Sequence, residues 1–223
     1  WTGAQLSEDE HRFLAGLPLT ARAGSVLLVH ASADAPASWR YVDNPTLAAL
    51  SLDAACQPPE GHADVRYVFG GHVHLQTLYF RGGAGKLMPF KPTPGVPIPV
   101  PRHRLWLATV GSVGQPRDGR VDAMYALFDE AAQQLTFHRV PYDVQAAAEV
   151  AAVVGQLGAA GQQQPGLLRQ KGQVLVARSL AHAACAGLVK GFDQVRQGAV
   201  LFCKGGTRAI RSTATGKNHL TAI

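Results

Sequence analysis

At 223 residues, with 47% hydrophobic and 16% charged side chains, the chain suits one large domain or a domain plus an appendage, with ample apolar content for a core. Its three cysteines, Cys56, Cys185 and Cys203, are odd in number and far apart, so they form neither a disulfide framework nor a CxxC metal knuckle, and a reducing cytoplasm is the expected home. The net charge of +6 is uneven: residues 151–223 hold nine Lys and Arg against one acid, Asp193, which leaves the remainder slightly acidic.

Taken in chain order, "LSEDEHRFLAGLP" offers Ser7 as N-cap with Glu10 three residues on, a capping box, and predicts a short helix ending near Gly16 and Pro18. "SVLLVH", residues 25 to 30, is an apolar run rich in β-branched residues, read as a buried strand with His30 at its carboxyl end. "NPTLAALSLDAAC" predicts a helix, and "VRYVFGGHVH" a second buried strand running into His72 and His74. "QTLYF" and "GKLMPF" flank Gly82 to Gly85 as a hairpin. The six prolines of residues 89–101 fit an extended edge or a connection. "RLWLATV" is a strand entering the glycine-rich turn "GSVGQPRDG", and "AMYALFD" with "QLTFHRV" predicts a strand pair. A helix is expected from about Ala147. No window supplies the roughly 18 uninterrupted apolar residues of a membrane helix, the best being cut by Arg178 and His182, and no signal peptide is expected. No membrane partner is expected.

The chemistry gathers on histidines. A lone strand-end histidine is more often a structural residue than a ligand. Strand ends in α/β folds nevertheless collect at one edge, where sites form. If the backbone stays extended past Phe69, His72 and His74 leave the same face roughly 6 to 7 Å apart. That is wide for one ion and suits one ligand to each of two ions held about 3.5 to 4 Å apart. Neutral imidazoles suit Zn, Mn, Fe or Ni.

"LLVHAS", "FGGHVHLQT" and "VGSVGQPRDG" resemble, in order and spacing, the later motifs of the calcineurin-like metallophosphoesterases, above all bacterial single-domain members. The usual wording there is LLxHG, then GHTH or GHVH, then a PGSVGQPR-type turn, and the likeness covers about residues 1–146. The resemblance implies an α/β fold, a two-sheet sandwich flanked by helices. It implies hydrolysis of phosphate mono- or diesters with two divalent ions (Mn, or Fe, Zn or Ni), His30 and His72 binding one and His74 the other. Ala31 and Thr109-Val110 depart from the usual wording without removing a ligand. The DxH, GDxxD and GNH motifs that open such domains do not precede "LLVHAS". The domain is therefore expected to be amino-terminally incomplete and impaired as a catalyst, because cations held by neutral imidazoles alone lack an anionic bridge. The alternative is a non-catalytic binding module on the same fold.

Two motifs are lures. Asp9-Glu10-His11 spells DxH but falls within a predicted helix, where i and i+2 diverge by about 200°. Asn218-His219 mimics the GNH pair but comes last, with no glycine before it. Gly216-Lys217 lacks P-loop spacing, and Ser112 lacks the nucleophile-elbow spacing, its turn reading as one rim of the cleft. Arg117 and Asp118 read as a turn pair, with substrate phosphate a second option for Arg117; His138 reads as a packing or surface histidine. Residues 1–160 are read as the carboxyl-terminal two-thirds of the domain. Residues 161–223 form a basic tail with no clear period, open to nucleic-acid binding, disorder or an aberrant reading-frame extension.

Overall fold

The structure, a computed structural model, describes residues 6–57, 64–82 and 85–149, together with strands at 199–203, 209–211 and 219–221. The first helix, α1 (Glu8–Ala15), starts at the expected capping box, with Ser7 and Glu10 bonded reciprocally. It buries no residue, and Asp9 pairs with Arg12 on its exposed face. The DxH spelling is thus a helix surface.

Strands β1 (Thr20–Ala23), β2 (Val26–Val29), β3 (Tyr67–Gly70), β4 (Gln76–Arg81), β5 (Leu87–Phe90) and β7 (Trp106–Val110) build the first sheet, in the order β1-β2-β3-β7-β4-β5. Its centre is parallel: Leu27 lies opposite Val68 and Phe69 opposite Ala108. Both faces of a central parallel strand are covered, which is why "VLLV" reads as an unbroken apolar run. Val26 and Leu28 enter one core with Tyr67, Phe69, Trp106 and Ala108. Leu27 and Val29 enter a second core with Val68 and Leu107, on the opposite face. Helix α2 (Pro45–Ala55), N-capped by Asn44, covers that second face with Ala48, Leu52 and Ala55.

The first core is closed by a second sheet, built on β8 (Ala123–Asp129), β9 (Gln134–Val140) and the edge strand β6 (Pro97–Pro99). Ala126, Phe128, Leu135 and Phe137 point from it into the first core. The Phe128 ring stands 4.5 Å from Tyr67 and 5.3 Å from Phe69, centroid to centroid. The proline-rich run lies at an edge, where a missing N–H is tolerated. Three strands of the basic tail extend this sheet on its other side: β10 (Ala199–Cys203) pairs with β8, β11 (Ala209–Arg211) with β10, and β12 (His219–Thr221) with β11. The helix expected from Ala147 falls partly outside the described residues, of which 144–149 are helical. Among the described residues no helix is long and apolar enough to cross a membrane. The layers, second sheet on first sheet on α2, are the sandwich expected from the sequence.

Candidate metal centre

Because β2, β3 and β7 run parallel and β4 antiparallel to β7, the carboxyl ends of the first three meet the start of β4 at one edge. His30 follows β2, the turn Gly111-Ser112 follows β7, and residues 71–75 join β3 to β4. β7 lies between β3 and β4, so these five residues must pass over its end, a span of about 9 to 10 Å. Two glycines make the start possible. A Cβ on Gly70 would lie 3.3 Å from the Ala31 carbonyl oxygen and 3.4 Å from that of Val29, and the Gly71 N–H donates to His30 O at 3.0 Å.

Here the backbone departs from the extended path expected past Phe69. His72 has φ +61° and His74 φ +63°, both left-handed. The Val73 N–H closes a three-residue turn on Gly71 O at 2.6 Å with His72 at its centre, the rare and strained hand of such a turn. The loop therefore lacks the i, i+2 geometry of an extended strand. Left-handed backbone at two non-glycine residues is a cost that collects at functional sites.

The loop delivers His72 to His30. The Nε2 of His30 lies 3.1 Å from Nδ1 of His72. Two nitrogens bonded to one cation at about 2.1 Å, at an angle of 90 to 110°, lie roughly 3.0 to 3.4 Å apart, so the pair has the separation of neighbouring ligands on one ion. The same distance serves an N–H to N hydrogen bond when no ion is shared.

His74 is set differently. Its Nδ1 lies 2.7 Å from the Gln115 carbonyl oxygen. A carbonyl only accepts, so Nδ1 carries the proton and Nε2 keeps the lone pair that a ligand role requires. The Gln115 loop is held in turn by its own N–H to Ser112 Oγ at 3.1 Å, and by the Arg117 N–H to His74 O at 3.2 Å. Gly111 allows this turn: its φ is +92°, and a Cβ there would sit 2.7 Å from the Met124 Cβ. The "GSVGQPRDG" turn is the rim expected from the sequence. Asp118, read as a partner of Arg117, pairs instead with the nearly buried Arg139 of β9. Arg117 is exposed and its guanidinium has no partner among the described residues.

Sequence reasoning missed two neighbours of the histidine pair. The Trp39 ring lies 4.4 Å from that of His30 and 5.7 Å, edge-on, from that of His72; the Tyr41 ring lies 4.2 Å from His72. Nothing in "APASWRYVDN" marks them, since their proximity depends on how a loop folds back.

Among the described residues, acids do not complete the set. Asp34 is bonded by Ser32 and Arg40, and Asp64 by Arg66. Among the described residues no group of three or more His, Cys, Asp or Glu side chains is placed to hold a metal ion. The donors present fit the imidazole portion of a metal site and supply no anionic bridge. His138 takes no part: it stacks on Tyr125 at 4.7 Å, and burial pushes its imidazole below the ordinary range. Cys56 is a free thiol that burial pushes up, and it is inert by that measure.

No family model matches the chain. An uncharacterised protein of Methanocaldococcus jannaschii is 28% identical over 153 residues, which is 67% of this chain and 56% of the relative. The chain thus spans little more than half of the curated relative it matches. A metallophosphoesterase from Sphaerobacter thermophilus, known by its crystal structure, superposes with a TM-score of 0.57 at 30% identity, over 84% of this chain and 66% of that one. The sandwich, the order of the three motifs and this match agree: the chain has the calcineurin-like metallophosphoesterase fold.

Proposed function

We propose that the chain contributes the histidine portion of a metal-dependent phosphoesterase site, with His30 and His72 on one divalent ion and His74 on the other. The 3.1 Å approach of His30 Nε2 to His72 Nδ1 carries this reading. Mn, Fe, Zn and Ni all accept imidazole. When bound, such ions polarise a phosphoryl oxygen and offset charge on the attacking and leaving groups of a phosphate mono- or diester. The chain's own part is to fix donors. Gln115 O holds the His74 tautomer, the strained loop aims His72 at His30, and Arg117 offers an exposed cation next to His74 in the backbone for the ester's phosphate.

With no acid among these donors, two cations would repel each other without a bridging anion. Slow turnover of p-nitrophenyl phosphate and bis-p-nitrophenyl phosphate is the expectation for this chain with manganese, and the same deficit favours a binding module as the second reading. Manganese titration by calorimetry is the test. The wild type should bind, and His72→Ala should weaken binding by at least about 10- to 100-fold, the range that losing even a hydrogen-bond partner of a metal ligand costs. Equal affinity in the two would refute the assignment.

A further inference from the structure

Trp39 and Tyr41 are large, aromatic and open to solvent, 52% and 41% exposed, yet both rings lie against the histidine pair. Their loop is built to hold them there. Trp39 closes the short 3-10 turn Pro36–Ser38 in a left-handed conformation, φ +53°, which a bulky side chain rarely adopts. Asp34 gathers Ser32 and Arg40 from either side of the turn, the Ala33 N–H donates to Ser51 Oγ of α2 at 2.9 Å, and Val42 is buried just beyond Tyr41. A loop fixed at both ends, strained in its middle and leaving two aromatic rings about half exposed beside the histidines is costly unless the rings have an occupant.

We infer that Trp39 and Tyr41 form a stacking platform, so that the site favours phosphate esters carrying a planar nucleobase over esters of sugars or alkyl alcohols. The inference rests on the phosphoesterase reading for where the phosphate goes. The platform supplies only the other half of the ligand. Bases stack on exposed indole and phenol rings whatever their hydrogen-bonding edge, so the platform selects nucleotides as a class without choosing among bases. The rings flank the imidazoles at 4.2 to 5.7 Å, which leaves one sugar's reach between a stacked base and a phosphate at the histidines.

The test compares adenosine 5′-monophosphate with ribose 5-phosphate, which share the phosphate and sugar and differ by the base. Binding of each to the full chain is measured by calorimetry with and without manganese, for the wild type and for Trp39→Ala, Tyr41→Ala and Trp39→Phe. The ratio of the two affinities is the readout, since a folding or metal-site defect lowers both together. The wild type should favour the nucleotide on the order of tenfold, one stacked base being sufficient for that. Either alanine variant should bring the ratio close to one, and Trp39→Phe should keep most of it. A wild-type ratio near one, undetectable binding of both esters, or an unchanged ratio in both alanine variants would overturn the platform. Manganese binding with a ratio near one defeats the platform alone; a retained ratio without manganese binding supports the platform and defeats the metal assignment.

Discussion

The two sheets divide the work. The first, with its parallel centre, brings every candidate ligand to one edge: His30 after β2, His72 and His74 between β3 and β4, and the Gln115 rim after β7. The second is antiparallel where it meets the core, and its described side chains supply no candidate ligand at that edge. It supports instead, with Phe128 and Phe137 in the shared core, Met124 beneath Gly111 and Arg139 on Asp118. Gln76, at the start of β4, ties the two by donating its buried amide to the Tyr125 and His138 carbonyls at 3.2 and 3.1 Å. Parallel strands concentrate their loops of one kind at one end, and antiparallel strands spread them over both. The candidate ligands follow the first arrangement and the supporting contacts the second.

If that division holds, damage to the second sheet should appear in stability and damage to the edge loops in ligand binding. The largest effect is expected at Phe128→Ala, which empties a fully buried ring site and should cost about 3 to 5 kcal/mol in urea unfolding. Gly111→Ala follows, at about 2 to 4 kcal/mol, because it combines a left-handed φ with a methyl group pressed on Met124. It should also loosen the rim that holds His74. A smaller effect sharpens the contrast. His74→Gly relieves a left-handed residue but gives up the Nδ1–Gln115 hydrogen bond and adds chain entropy, so stability should change by less than about 1 kcal/mol while metal binding weakens. A loss well beyond that would mean that the side chain's contacts outweigh the loop's strain.

The smallest effect concerns His138 of β9. Burial holds its imidazole below the unfolded-chain value of about 6.5, and its buried Nε2 has no hydrogen-bond partner among the described residues. A base harder to protonate when folded contributes stability that is present above about pH 6.5 and lost as pH falls through the lower folded value. The thermal midpoint should therefore drop more between about pH 7 and pH 5 in the wild type than in His138→Phe. Equal slopes would show that other groups carry the acid sensitivity.

What was legible in the sequence follows from the same physics. The runs "VLLV" and "YVFG" are apolar on both faces because both are covered, and that made their strands readable. Ser7 with Glu10 marked α1, and the histidines stood out by position after those strands. The path beyond Gly70 was not legible, since two glycines and a five-residue crossing over β7 set the backbone at His72 and His74, and a two-residue period assumes neither. Trp39 and Tyr41 were missed because loop folding places them, and Gln115 because it acts through a backbone carbonyl that any residue carries. The tail strands pair at a sheet edge by backbone hydrogen bonds, which leave little trace in a sequence without a clear period.

In the proposed site His30 and His72 share one cation through Nε2 and Nδ1, with His74 presenting Nε2 to a second. Long-range proton–nitrogen spectra of histidine-labelled protein, recorded through a zinc titration, read each ring nitrogen separately. Nε2 of His30, Nδ1 of His72 and Nε2 of His74 should move on zinc binding, Nδ1 of His74 should stay protonated on the Gln115 carbonyl, and His138 should not respond. A His30–His72 pair left unchanged at saturating zinc would contradict it and make the 3.1 Å contact a plain hydrogen bond between two imidazoles.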